Sequence, residues 1–147
     1  TVENCKRPKT QQLAFQKACV DAVEMLKGEA AGLRGVGNTQ SDCFPKALLP
    51  YTERTYLGDG SGTRVNFLVN YGWEWDLFDG TKDKRAWHSR IDLVIRWGGM
   101  RRLSGFLPVQ CVYADFYVVD ALWPDFAPQH LEEALAWYDR QDVTLGG

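Results

Sequence analysis

Three side chains that could transfer protons or bind charge occur at alternate positions of one segment: His88, Arg90 and Asp92. Because side chains along a β-strand alternate between its two faces, this spacing places all three on one face. A histidine near a carboxylate is a common source of general-base catalysis, so His88 and Asp92 are candidate catalytic residues. Ion pairs on the polar face of a hairpin use the same residue types, and that interpretation stays open.

Asp115 is a third candidate, because it lies in a segment, 109–122, that is apolar on both sides. A carboxylate in such surroundings has to be paired with a cation, exposed at a sheet edge or held in its neutral form. Arg90 or Arg96 could pair with it. Alternatively, Asp115 could act as an acid or base inside an aromatic cavity. Serine-nucleophile, Walker, dinucleotide and HExxH patterns do not occur in the sequence.

Charge is distributed unevenly along the chain. The 17 Lys and Arg residues nearly balance 19 Asp and Glu residues, so the composition does not predict a nucleic-acid partner. Basic residues dominate 82–102 and acidic residues dominate 115–142. Both regions could simply be solvated, or the first could bind an acidic protein or an anionic ligand. The predicted binding residues, with two tryptophans at the open end of the sheet, are Trp75, Trp87, Arg90, Arg96, Arg101 and Arg102.

The cysteines indicate disulfides rather than a metal site. There are four, widely spaced and without a Cys-x-x-Cys pair, and the chain has only two histidines, so we predict no metal and no cofactor. We expect two disulfides, with Cys19 and Cys111 not both free, and hence an extracellular or periplasmic protein. The start at Thr1 fits a removed signal peptide or a trimmed chain. The cysteines expected to pair are Cys5, Cys19, Cys43 and Cys111.

An alternation of apolar residues dominates the middle of the chain. Odd positions are apolar or aromatic from Val65 to Trp75, and again from Trp87 to Trp97 with the one exception of Ser89. This period predicts half-buried strands, and we expect one long antiparallel hairpin over residues 64–97. Gly98-Gly99 predicts a tight turn into a return strand over 100–107, and 109–122 then forms a central strand.

Helical periodicity predicts the elements that flank these strands. A helix of about twenty residues starts near Thr10, with apolar positions recurring as far as Leu33. Pro128 suits the first turn of a second helix, which ends near Arg140. A short strand is predicted over 51–57, an extended arm over 1–9 and a loose tail over 141–147. No apolar run is long enough to span a bilayer.

Together these elements predict a single α+β domain, 1–147, in which the N-terminal helix packs across a curved antiparallel sheet and a short helix closes the chain. Cystatin-like and nuclear-transport-factor-like domains share this architecture, although no motif of either occurs in the sequence. The predicted function is a secreted or periplasmic protein-binding protein without enzymatic activity, such as an inhibitor, an immunity protein or a host-directed effector. The alternative is a small pocket enzyme or a small-molecule carrier that uses the interior of the sheet. The oligomeric state is left open.

Overall fold

Parallel strand pairs form the backbone of both sheets of the protein. The computed structural model describes residues 1–59, 62–79 and 89–142. The chain divides into two compact units, residues 1–82 and 83–147, which we describe separately.

The first unit is a three-stranded sheet with one long helix. Helix α1 spans Lys9–Leu26, and strands β1, β2 and β3 span Ala31–Val36, Thr55–Leu57 and Thr63–Leu68. The sheet order is β2-β1-β3. Strand β1 runs antiparallel to β2 but parallel to β3. The central strand, β1, therefore has one antiparallel and one parallel neighbour.

The core of the first unit lies where α1 meets β1. Val23 of α1 and Leu33 of β1 are buried, and Leu33 has no exposed surface. They pack with Phe44, Leu48 and Val69 in one apolar cluster. Burying such side chains provides most of the favourable free energy that holds the helix on the sheet.

The second unit contains a parallel pair of strands and one helix. Strand β4 spans Leu93–Trp97 and β5 spans Asp115–Val119. The two strands pair along their whole length, with Leu93 opposite Asp115 and Trp97 opposite Val119. Helix α2 spans Pro128–Tyr138, with the proline in its first turn as predicted. The rings of Tyr117 and Trp137 are 5.3 Å apart, which ties α2 to β5.

The predicted antiparallel hairpin over 64–97 is wrong, and the curved antiparallel sheet is wrong with it. Strand β3 ends at Leu68, and the chain turns at Asn70, whose φ of 50° is left-handed. The asparagine stabilises this turn by donating a side-chain hydrogen bond to the Asn38 carbonyl at 3.0 Å. Residues Trp75–Asp79 then form a turn of π-helix. The apolar alternation from 69 to 75 therefore did not mark a strand.

Other boundaries differ from the prediction for local reasons. Leu33 belongs to β1 rather than to the first helix, which ends at Leu26. The predicted strand over 100–107 is a series of turns, with left-handed φ angles at Ser104 and Leu107. The strand predicted over 109–122 is restricted to β5. The arm over 1–9 is not extended, because Val2–Lys6 forms a 3-10 helix. The last residues of the predicted tail, 143–147, lie outside the described residues.

Candidate functional site

Two arginines meet just beyond the carboxyl end of β4. Arg96 is the penultimate residue of that strand, and the turn after it passes through Gly98 and Gly99, with φ angles of 92° and 69°. Glycine adopts these angles without steric cost. The Gly98 N–H donates to the Ala121 carbonyl at 2.9 Å, and the Gly99 N–H donates to the Val119 carbonyl at 3.1 Å. The turn is therefore fixed to the end of β5, and it leads directly to Arg102.

The side chains of Arg96 and Arg102 converge on the loop over 98–104, which contains no acidic residue. Arg96 donates to the Ser104 hydroxyl at 3.3 Å and to the Arg102 carbonyl. The Met100 sulfur lies 3.7 Å from Nη2 of Arg96 and 3.1 Å from Nη2 of Arg102. A thioether is only a weak acceptor. No carboxylate in the described parts of the chain lies within 4.0 Å of either guanidinium group.

Two neighbouring guanidinium groups without a carboxylate form a site for an anion. The planar arginine fork matches the oxygens of carboxylates and phosphates, and the Ser104 hydroxyl adds a third donor. Backbone strain supports the assignment, since Ser104 and Leu107 have left-handed φ angles of 50° and 36°. Such angles in residues other than glycine concentrate at functional sites.

An apolar cavity of about 230 Å³ adjoins the arginines. Its hydrophobic wall comes from β4, β5 and the loop between them. A ligand that fits both parts of the site has an anionic head and a hydrocarbon body. The residues lining the cavity are Val94, Ile95, Arg96, Arg102, Leu103, Phe106 and Phe116.

Of the predicted binding residues, the structure brings Arg96 and Arg102 together. Arg101 is exposed in the same loop. Arg90 is instead paired with Asp92, with 3.3 Å between Nε and Oδ1, and its guanidinium lies 5.8 Å from the Tyr113 ring centre. Trp75 belongs to the first unit, where its ring meets Tyr71. Trp87 lies outside the described residues.

The candidate catalytic residues do not form an acid–base group in the part of the chain that the structure describes. The exposed ion pair with Arg90 accounts for Asp92. Asp115 begins β5, half-buried, and its N–H donates to the Asp92 carbonyl at 2.9 Å. Neither Arg90 nor Arg96 pairs with the Asp115 carboxylate, so that predicted ion pair is not formed. His88 lies outside the described residues.

Sequence reasoning missed the loop residues of the site, Ser104 and Phe106, and also Phe116. A strand over 100–107, as predicted, would not bring the side chains of this segment together around Arg96. The available signal was a strand followed by Gly-Gly and then by two arginines and a serine within a few residues.

The cysteines form one disulfide instead of two. Cys5 is bonded to Cys43, with 5.8 Å between their Cα atoms. Cys19 and Cys111 are free, so the prediction that at least one of them is paired is wrong. Burial raises the pKa of both thiols, which makes them weak nucleophiles. Among the described residues, no group of three or more His, Cys, Asp or Glu side chains could hold a metal ion.

The second unit thus combines a parallel strand pair and a helix with two arginines that border an apolar cavity. The family model described as "Putative undecaprenyl diphosphate synthase" matches residues 1–146. The chain therefore belongs to this family of prenyltransferases.

Two curated relatives illustrate the match. The chain is 36% identical over 135 residues to a geranylgeranyl-diphosphate-specific tritrans,polycis-undecaprenyl-diphosphate synthase of Aeropyrum pernix, covering 86% of this chain and 61% of the relative. It is 29% identical over 175 residues to the (2E,6E)-farnesyl-diphosphate-specific ditrans,polycis-undecaprenyl-diphosphate synthase of Escherichia coli K12, covering 99% of this chain and 68% of the relative. The chain thus spans about two thirds of the length of these relatives.

Solved structures share the fold. Lavandulyl diphosphate synthase from Lavandula x intermedia, in complex with dimethylallyl diphosphate, superposes with a TM-score of 0.70 at 18% identity. That match covers 99% of this chain and 75% of the other. A probable undecaprenyl diphosphate synthase from Campylobacter jejuni gives a TM-score of 0.69 at 20% identity, covering 99% and 79%. At these identities the likeness concerns the fold, which is not that of cystatin-like or nuclear-transport-factor-like domains.

Family membership overturns the predicted function. The protein is not a secreted or periplasmic inhibitor, immunity protein or effector, and the expectation that it is not an enzyme is wrong. The prediction of location depended on two disulfides, and the expectation that the protein is not an enzyme depended on the absence of catalytic motifs. Only one disulfide forms, and catalysis by electrostatic stabilisation needs no nucleophile signature in the sequence. No helix within the described ranges is both long enough and apolar enough to cross a bilayer.

Proposed function

We propose that this chain provides a prenyl diphosphate site of a prenyltransferase that lengthens isoprenoid diphosphates. Arg96, Arg102 and Ser104 bind the diphosphate group, and the adjoining cavity receives the first part of the hydrocarbon chain. The observation that carries the proposal is the pair of guanidinium groups that meet on the Met100 sulfur without a carboxylate, beside an apolar cavity.

The relatives suggest the reaction. Their names describe the synthesis of undecaprenyl diphosphate from geranylgeranyl or farnesyl diphosphate. When two prenyl diphosphates join, a carbon–carbon bond forms and the carbon–oxygen bond to one diphosphate breaks. One diphosphate group stays in the product, the other leaves as inorganic diphosphate, and the prenyl chain that keeps its diphosphate loses a proton. Because the chain spans 61% and 68% of the two relatives, we propose this activity for the protein that contains it.

The residues of the site would act by binding and orientation. A guanidinium fork fixes two oxygens of a phosphate at once, and two such groups neutralise much of the charge on a diphosphate. The Ser104 hydroxyl, held 3.3 Å from Arg96, supplies a further donor. Apolar walls at Phe106 and Phe116 would exclude water from the hydrocarbon, at about 0.8 kcal/mol per buried methylene group.

Binding of dimethylallyl diphosphate, measured by isothermal titration calorimetry, tests the proposal. Arg96→Met and Arg102→Met keep the apolar stem and remove the charge, and each should weaken binding at least about tenfold, since hydrogen bonds to charged groups contribute about 1.5–3 kcal/mol. Arg90→Met is the matched control, because Arg90 is already paired with Asp92. The affinity of this control variant for dimethylallyl diphosphate should lie within about twofold of that of the unmodified protein.

The result would contradict the proposal if the unmodified protein failed to bind dimethylallyl diphosphate. Equal losses in all three variants would also contradict it, because they would indicate a general effect of positive charge. A prediction of the sequence analysis, that Arg96, Arg101 and Arg102 bind an acidic protein, stays a prediction. The cavity beside two of them favours a small amphiphile.

A further inference from the structure

We propose that His130 is a positioning residue for the diphosphate site, acting through Trp97. The inference rests on the proposed function. Trp97 follows Arg96 in β4, and alternation along the strand places the two side chains on opposite faces. The Trp97 indole therefore does not line the arginine site. The backbone of Trp97, however, directly follows that of Arg96.

The Trp97 ring is held in an aromatic cluster at the start of α2. Its centre lies 5.0 Å from Trp123, 5.6 Å from Phe126 and 6.4 Å from His130. The indole N–H donates to Nδ1 of His130 at 3.2 Å. In the parts of the chain that the structure describes, this is the only hydrogen bond of the indole.

One nitrogen atom of His130 joins two chain segments. Nδ1 accepts a second hydrogen bond from the Ala127 N–H, also at 3.2 Å, where α2 begins. Both contacts bring an N–H group to Nδ1, so this atom is the acceptor in each of them. The same atom thus caps the first turn of α2 and fixes the last side chain of β4.

The turn that carries the site depends on this anchor. A side chain at Gly98 would meet no atom within 4 Å, so the turn is not held by packing at that position. Two backbone hydrogen bonds from Gly98 and Gly99, the hydrogen bonds from Arg96 to the Arg102 carbonyl and Ser104, and the fixed Trp97 ring hold it instead. Because glycine allows wide backbone freedom, a loosened Trp97 would let Arg102 move relative to Arg96.

The test measures the dissociation constant of inorganic diphosphate by calorimetry. His130→Phe keeps an aromatic ring but removes the acceptor of both the Trp97 and the Ala127 hydrogen bonds. We expect binding about fivefold weaker, the effect of freeing Trp97 from one ordinary hydrogen bond. His130→Asn places an oxygen near the position of Nδ1. Its dissociation constant for diphosphate should lie within about twofold of that of the unmodified protein. Trp137→Phe is the control, because it alters the packing of α2 on Tyr117 without touching Trp97.

A second variant approaches the same bond from the other side. Trp97→Phe removes the donor and keeps an aromatic ring, so it should weaken diphosphate binding by a similar factor. It tests the inference even if His130→Phe fails to fold. The indole N–H resonance of Trp97, identified by its loss in this variant, should shift in His130→Phe and stay near its original position in Trp137→Phe.

The outcomes separate this inference from the proposed function. If the unmodified protein binds diphosphate and Arg102→Met does not, but His130→Phe and Trp97→Phe bind normally, the inference is overturned and the diphosphate site stands. A loss in Trp137→Phe equal to that in His130→Phe also overturns it, since the effect would then belong to the docking of α2. If the unmodified protein does not bind diphosphate, both are overturned.

Discussion

Replacing Gly37 with alanine tests the parallel pairing of β1 with β3. A Cβ atom at this position would lie 1.6 Å from the Val69 carbonyl oxygen and 2.8 Å from its carbon. Both are backbone atoms, so no side-chain rotation can relieve the clash. The chain at Val69 would have to retreat until the first distance reached at least 3.0 Å.

The cost follows from the hydrogen bonds that this movement breaks. The Val69 N–H donates to the Val36 carbonyl at 2.9 Å, and the Asn38 N–H donates to the Asn70 carbonyl at 3.3 Å. Each is expected to contribute about 1 kcal/mol, and buried groups left without partners cost about 1–3 kcal/mol more. Val69 and Asn70 are both buried. We therefore expect Gly37→Ala to lower the free energy of unfolding by about 3 kcal/mol.

Urea unfolding followed by circular dichroism measures this difference. Gly28→Ala is the matched control, because a Cβ atom there meets nothing within 4 Å and its φ is not left-handed. It should leave stability unchanged or raise it by up to about 1 kcal/mol. If Gly37→Ala proved as stable as Gly28→Ala, β1 would not approach the end of β3 closely. The parallel register would then be incorrect.

Four further predictions concern the first unit and the thiols. Leu33→Ala should lower the unfolding free energy by about 2–5 kcal/mol, measured by urea unfolding, because Leu33 is fully buried. Arg54→Lys should destabilise by about 1–2 kcal/mol in the same assay, since one ammonium group cannot reach the Gly32 carbonyl, the Val65 carbonyl and Asn66 together. Titration in denaturant without reductant should find two free thiols per chain, and a count of four or zero would contradict the single disulfide. Burial raises the pKa of Cys19, so the stability that its neutral thiol contributes is complete below its ordinary value of 9.0 and is lost as pH rises through the folded-state value. The decrease in stability above that pH should be smaller in Cys19→Ala.

The helix starts were predictable from the sequence because their signals are local. Helix α1 begins at Lys9, beside the predicted Thr10, and α2 begins at Pro128. A proline at the first turn and an apolar face with helical spacing act within a few residues of the helix they define. Neither signal depends on what the helix packs against.

Strand partners were not predictable, because alternation gives the faces of a strand and not its neighbour. The glycines after α1 show the same ambiguity. In the structure, a Cβ on Gly32 would approach the Tyr56 ring at 3.1 Å and one on Gly37 would meet the Val69 backbone. Glycine ends helices and also allows strands to approach closely, and the sequence alone does not separate the two roles.

The error in strand direction also contributed to the error in function. An antiparallel return after Gly98-Gly99 would have continued the sheet, and its arginines would then have formed a flat charged surface suited to a protein partner. Because β4 and β5 are parallel, the chain must instead leave the sheet and travel back to the start of β5. Loops at the carboxyl ends of parallel strands enclose space beyond the sheet, which is where ligands bind in α/β proteins. The same arginines therefore border a cavity, and the surface predicted to bind a protein is the one for which we propose a small anion as ligand.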